Sequence, residues 1–166
     1  MPRVPDAGTG HSGQCRFLVS GGLPVTGRVP RGSGRCRAAW HADRQRLGYP
    51  VPVAGADGQV LGYASFGDWR AFEGHRHTVE HSVYVRVDQR GQGIGESLIH
   101  ALIGRAREIG KHVMVAGIEA GNGGSIRLHG KLGFQQAGNL KEVGTKFDGW
   151  LDLVFMQLTL DARKAP

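Results

Sequence analysis

Residues 89–102, QRGQGIGESLIHAL, set Gly91, Gly93 and Gly95 at alternating positions ahead of an apolar run with helical spacing. Bare glycines let backbone amides come close to an anion's oxygen atoms, and a helix N-terminus adds partial positive charge. Arg90 supplies a guanidinium for charge-assisted bonds to the same oxygens. The chemistry such a turn offers is phosphate binding; the alternative is a turn that is simply flexible. Two common phosphate signatures fail on spacing. The dinucleotide fingerprint needs G-x-G-x-x-G and a ribose-binding acid, but the chain has G-x-G-x-G, with Glu108 and Glu119 poorly placed. A Walker A turn needs a lysine before its Ser or Thr, and Gly95-Glu96-Ser97 lacks one. His75 and His77 find no further ligands, and Cys15 and Cys36 match no metal-ligand spacing, so no metal is expected.

Such a turn needs a strand before it and a helix after it. TVEHSVYV alternates, with Val79, His81, Val83 and Val85 on one face and Glu80, Ser82 and Tyr84 on the other. After the glycines, Ile94, Leu98, Leu102 and Ala106 fall four apart, and Ile99 and Ile103 widen the stripe. Upstream, AAWHADRQRLG reads as a short helix closed by Gly48. YPVPVAG and QVLGYASFG read as strands joined at Asp57-Gly58, with Pro52 suited to an edge or irregular place. Downstream come a buried strand (KHVMVAGI), a short helix (GSIRLHGKL) ended by Gly133, and two strands (FQQAGNL and WLDLVFMQL). The order is β-β-β-α-β-α-β-β, a mixed α/β domain.

Of the net charge of +7, most belongs to residues 1–40, where six arginines face one acid; the remainder holds 15 basic and 13 acidic residues. That distribution, without a pattern of stacking aromatics, argues against nucleic-acid binding. No apolar run reaches the roughly 20 residues of a membrane span, and the N-terminus lacks the apolar core of a signal peptide. A cytoplasmic protein is expected. Residues 1–38 are dense in Gly, Pro, Arg and Ser, and only CRFLVS resembles a strand. The segment reads as an atypical, disordered arm.

VYVRVDQRGQGIGESLIHALIGRAREIG resembles motif A of the GNAT acetyltransferase superfamily, [Q/R]-x-x-G-x-[G/A], with Arg90, Gly93 and Gly95 at the fixed positions. EAGNGGSIRLHGKLGF is similar to the family's next segment. LGYASFGDWRAFEGHRHTVEHSVYV, GKHVMVAGIEAGN and VGTKFDGWLDLVFMQLTL together resemble the phosphinothricin and methionine sulfoximine N-acetyltransferases over about residues 39–160. The resemblance implies a GNAT fold: a mixed, mostly antiparallel sheet with flanking helices. It places the acetyltransferase domain at 39–160 and a tail at 161–166. The implied reaction moves an acetyl group from acetyl-CoA to the α-amino group of L-methionine sulfoximine, methionine sulfone or phosphinothricin, by direct attack, in a homodimer.

Acetyl transfer requires a neutral amine, a stabilised oxyanion and a protonated leaving thiolate. The resemblance assigns Glu80 as the base, acting through water, and a backbone amide near Val83–Val85 to the oxyanion. It sets His129, where many relatives have Tyr, as proton donor to sulfur. Carried over, the cofactor contacts are backbone groups of Tyr84, Val85 and Arg86 and of Gln92, Gly93, Ile94, Gly95, Glu96 and Ser97, with Arg90 of the motif and Asn122 beyond the next strand. The implied substrate contacts are Ala71, Phe72, Glu73, His81, Ser82 and Val83. Arg70 and Lys146 are candidate cations for the substrate's polar ends; Trp69 and Trp150 are candidate pocket walls, Trp150 suiting core packing better.

Residues 1–38 depart from the family, lacking its I-R-x-A-type first strand and the two helices near the acceptor. Their length and abrupt junction with a good match point to a shifted reading frame. This leaves open a chain that binds CoA but is catalytically impaired.

Overall fold

A computed structural model describes residues 16–19, 34–146 and 148–166. The strands are β1 (Arg16–Val19), β2 (Pro52–Ala56), β3 (Gln59–Asp68), β4 (Thr78–Val85), β5 (Val113–Glu119), β6 (Gln135–Lys146) and β7 (Gly149–Thr159). The helices are α1 (Gly34–Leu47), α2 (Ile94–Glu108) and α3 (Gly123–Lys131). One sheet runs in the order β1-β2-β3-β4-β5-β7-β6, and every pairing is antiparallel except β4 with β5. This is the mixed, mostly antiparallel sheet with flanking helices expected from the resemblance.

The helical stripe of α2 makes the core. Ile94, Leu98, Ile99, Leu102, Ile103 and Ala106 are all buried, packed in one cluster with Ala64 and Phe66 of β3, Val79 of β4 and Met114 of β5. Asp57 and Gly58 both take positive φ (51° and 77°), as a tight hairpin turn between right-twisted strands requires. Pro52 sits at the first position of β2, where a missing N–H is tolerated.

Three elements differ from the sequence reading. The helix expected from Ala39 begins at Gly34, and Arg16–Val19 forms a strand whose register pairs Arg16 with Gly55 and Val19 with Pro52. The shifted-frame and disordered-arm expectations otherwise concern residues outside the described ones, as does Cys15. The strand read as FQQAGNL runs on to Lys146 through a register shift between Leu140 and Gly144, where Glu142 takes φ 54°. Asp152 of β7 stabilises that irregularity, accepting from the Glu142 amide at 3.0 Å and pairing with Lys141 at 2.6 Å. Trp150, expected to suit the core, is 69 % exposed on β7. Among the described residues no helix is long and apolar enough to cross a membrane.

Candidate active site

The parallel pair is where the sheet opens. β4 and β5 are joined only from Thr78–Val113 to His81–Ala116. Beyond that, Ser82–Val85 stay paired to Gly62–Ser65 of β3, while Gly117–Glu119 stay paired to β7. Each strand follows its antiparallel partner, and a wedge opens between them. Alternate backbone N–H and C=O groups of Ser82–Val85 therefore point into it without a strand partner.

On one face of the wedge lies the glycine turn. Gly91 and Gly93 both adopt φ 78°, a left-handed conformation that L side chains resist. Gly93 is the N-cap of α2 and offers no capping side chain. The first bond into the helix runs from the Ser97 amide to Gly93 O at 3.0 Å. The amides of Ile94, Gly95 and Glu96 are thus left without intrahelical partners. They border a groove of about 560 Å³, walled by Val83 and Val85 of β4 and by Asn122, Ser125 and Leu128 around α3. A Cβ on Gly95 would meet Leu128 at 3.4 Å and Val85 at 3.7 Å, so the missing side chain keeps the groove open. Asn122 caps α3, its Oδ1 accepting from the Ser125 amide at 3.1 Å. This leaves its Nδ2 as a donor at the groove.

Of the expected cofactor contacts, Val85, Arg90, Gly93, Ile94, Gly95, Glu96 and Asn122 line this groove. The side chains of three others lie elsewhere, Arg86 turning outward to Asp88 (2.7 Å) and Gln59 (2.9 Å), Gln92 leaning on Gln89 and Tyr84 facing the second cavity, while the contacts expected of them are backbone ones. The Ser97 amide bonds to Gly93 O within the helix. Glu96 is a carboxylate beside an anion site, and Lys131 of α3 neutralises it at 2.8 Å; that hydrogen bond holds the acid below its usual range.

On the opposite face, β3 and β4 present cross-strand pairs: Tyr63 with Tyr84, Ser65 with Ser82, and Gly67 with Glu80. The two tyrosine rings stack at 5.0 Å. Trp40 and Arg44 of α1 complete a second cavity of about 240 Å³ over these pairs. Arg44 is 3 % exposed, donates to Phe66 O and lies over the Trp40 ring at 5.5 Å. Burial lowers its guanidinium to about 9, with Tyr49 and Asp68 opposing the fall, so it stays charged at neutral pH. Sequence reasoning missed Trp40, Arg44, Tyr63 and Ser65. Only the cross-strand register and the docking of α1 bring them together.

A third cavity, about 300 Å³, lies in the wedge and shares lining residues with each of the other two. It shares Glu80, Ser82 and Tyr84 with the second cavity, and Val83, Asn122 and Ser125 with the groove. Glu80 thus stands where both faces meet.

His81 and His129 also line the wedge, as a buried pair. Their Nε2 atoms are 3.1 Å apart, and His129 Nδ1 lies 2.7 Å from Ser125 O. A carbonyl only accepts, so Nδ1 of His129 carries a proton. Its Nε2 then accepts from His81 Nε2–H, and His81 Nδ1 has no hydrogen-bond partner. Burial pushes His81 down to about 3, with His129 adding to the fall, and burial also lowers His129 against the Ser125 bond. Both rings are neutral at pH 7. Both nitrogens of His129 are engaged within the protein, Nδ1 with Ser125 O and Nε2 with His81 Nε2.

The remaining expected substrate contacts divide. Ser82 and Val83 line the wedge with His81, whereas Ala71, Phe72 and Glu73 line none of the three cavities. They lie on an exposed turn where Phe72 is 75 % exposed and Glu73 pairs with Arg76. Arg70 sits over Trp69 at 5.0 Å, and neither Arg70 nor Lys146 reaches a cavity.

A splayed parallel pair, a glycine turn at a helix N-terminus and a cavity in the wedge define an acyl-group transferase. Residues 24–134 match the acetyltransferase (GNAT) family, and the chain belongs to that family. It is 63 % identical over 132 residues to the L-methionine sulfoximine/L-methionine sulfone acetyltransferase of Pseudomonas aeruginosa, covering 78 % of this chain and 77 % of that one. It is 43 % identical over 116 residues to the phosphinothricin N-acetyltransferase of Alcaligenes faecalis, covering 69 % and 59 %. The structure of yncA from Salmonella typhimurium with its cofactor acetyl-CoA superposes with a TM-score of 0.80 at 55 % identity, covering 82 % and 79 %.

Proposed function

We propose that this acetyltransferase moves the acetyl group of acetyl-CoA to the α-amino group of a small amino-acid analogue of the methionine sulfoximine, methionine sulfone or phosphinothricin type. The observation that carries the reading is the succession of groove, wedge and aromatic cavity through shared lining residues, with Glu80 common to the wedge and the aromatic cavity. The residues present fit the donor: unpartnered α2 amides and Arg90 suit its pyrophosphate, and Val83, Val85 and Leu128 suit its apolar arm. When bound, acetyl-CoA supplies a thioester, an acyl group already activated toward amines.

Everything else is supplied by the chain. The Tyr63–Tyr84 stack and Trp40 form an apolar wall for the acceptor's side chain, and Arg44 supplies the buried positive charge that favours its carboxylate. An α-amino group is largely protonated at neutral pH, with a pKa of about 8. Glu80 removes that proton through water. The β4 amides facing the wedge hold the carbonyl oxygen as charge develops there. As the tetrahedral adduct collapses its C–S bond breaks, and CoA leaves as the thiolate, which takes up a proton from the wedge, where His129 is the candidate donor. His81 and His129 keep α3, with Asn122 and Ser125, against β4. Neither Cys15 nor Cys36 lies near the glycine-turn motif in the sequence, which favours direct attack over an acyl-enzyme. The same reading carries a cytoplasmic homodimer; the exposed Leu140, Val143 and Trp150 leave apolar surface on β6 and β7 that a second copy could cover.

Thiol release from acetyl-CoA, measured with a panel of amino-acid analogues, tests this. Methionine sulfoximine is expected to turn over, and Glu80→Gln to lower kcat by roughly 10²- to 10⁴-fold while donor affinity holds. Cofactor-protected melting without turnover of any acceptor would overturn the reading.

A further inference from the structure

Glu80 is flanked by glycine on both neighbouring strands. On β3 its register partner is the buried Gly67. On β5, Gly117 is the first residue past the last β4–β5 rung and shares Glu80's face of the sheet. Glycine inside a strand weakens it and gives no side chain to pack, so its presence here marks a place where something must come close. What comes close to Gly117 is the carboxylate. A Cβ built on Gly117 would lie 3.0 Å from Glu80 Oε1, against 3.6 Å from Phe155 and 3.9 Å from Leu153. The two apolar contacts are ordinary packing distances. The contact to oxygen is not, and Glu80 would have to give way.

The direction of yielding follows from what holds each neighbour. Phe155 is the register partner of Gly117 on β7, and Leu153 is the partner of Glu119, both within a continuous ladder. The atom that Gly117 meets most closely, Glu80 Oε1, is the far end of a flexible side chain and can give by the few tenths of an ångström that the contact demands. An added methyl group would therefore leave the β5–β7 wall in place and shift the carboxylate. Gly117 itself has no positive φ, so alanine suits its backbone.

From this we propose that Gly117 is a positioning residue: its missing side chain is the seat that keeps the Glu80 carboxylate at the junction of the cavities. The proposal rests on the reading of Glu80 as the base. It requires no contact between Gly117 and either substrate.

The test uses the full chain carrying Gly117→Ala, with Gly117→Ser as a second variant adding the same Cβ, and Gly138→Ala on β6 as control. Nothing lies within 4 Å of a Cβ at Gly138. Gly117→Ala should melt at or above the parent and bind acetyl-CoA with unchanged Kd. Its kcat should fall about 10- to 100-fold, the scale of a misplaced catalytic group. In a Glu80→Ala background, adding Gly117→Ala should change kcat by less than about two-fold, because no carboxylate remains to displace. The side-chain carboxyl ¹³C resonance of Glu80 should move in Gly117→Ala and stay in Gly138→Ala. An equal loss of kcat with and without Glu80, or an unmoved Glu80 resonance, would overturn the seat. Full activity in Glu80→Gln would instead overturn the base assignment, leaving the resonance alone to decide the seat.

Discussion

Acidification from pH 7 to pH 5 should destabilise this protein through one buried pair of rings. His81 is 5 % exposed and its Nδ1 lacks a partner, while His129 is 2 % exposed. Burial pushes both below the ordinary imidazole value, His81 to about 3. A ring with a folded pKa below its unfolded one binds fewer protons when folded. Stability is then intact above the unfolded value of 6.5 and falls with pH until the folded value is reached. With those two values for His81, the step from pH 7 to pH 5 removes about 2 kcal/mol, and His129 adds to it in the same direction. Carboxylates do not confuse this window. Asp152, drawn down by its Lys141 bond, and Glu96, drawn down by Lys131, lose their contributions only at or below roughly pH 4.5. Urea unfolding at pH 7, 6 and 5, followed by tryptophan fluorescence, measures the effect. His81→Gln keeps an N–H for His129 Nε2 but cannot titrate, so its pH dependence should shrink by about 2 kcal/mol over the same range. A His81 ring signal titrating near pH 6.5 in the folded protein, or equal unfolding free energies at pH 7 and 5, would refute the argument.

Replacing Lys131 with Met should expose the Glu96 charge to the donor's pyrophosphate and raise KM for acetyl-CoA by roughly two- to five-fold, less at high salt; Glu96→Gln in that background should reverse it. Asn122→Ala should cost about 1 kcal/mol in thermal unfolding through loss of the α3 cap. Asn122→Asp should keep the cap yet weaken donor binding, because an acceptor-only group then faces the groove. Leu98→Ala, in the fully buried stripe of α2, should lower stability by about 2–5 kcal/mol in denaturant unfolding.

What the sequence disclosed was local. The glycine turn and the apolar stripe of α2 depend on neighbours three to five residues apart, and both stand where the spacing put them. The acceptor side was not legible in that way. Arg44 and Trp40 belong to a helix, Gly34–Leu47, with four arginines and no clear apolar stripe, and they meet Tyr63 and Tyr84 only through long-range docking and register. The surroundings of His129 were hidden for a related reason. Its chemistry is set by His81, 48 residues away, and by a backbone carbonyl within its own helix. The side chain of Arg86, beside the turn, is drawn outward by Asp88 and Gln59.

Four rungs, Thr78–Val113 to His81–Ala116, are all that joins β1–β4 to β5–β7 within the sheet. The seam makes the width of the wedge a whole-number quantity. One more rung would pair Ser82 with Gly117 and narrow the wedge, and one fewer would leave His81 held by Phe66 of β3 and by His129 alone. Substitutions on the aromatic face can retune which acceptor is admitted without touching that count. A single-residue insertion in β4 or β5 cannot, because it shifts the stopping point and exchanges the two faces of the strand at once. Divergence among such enzymes should therefore run along the walls of the opening, with the ladder that sets its width keeping its length.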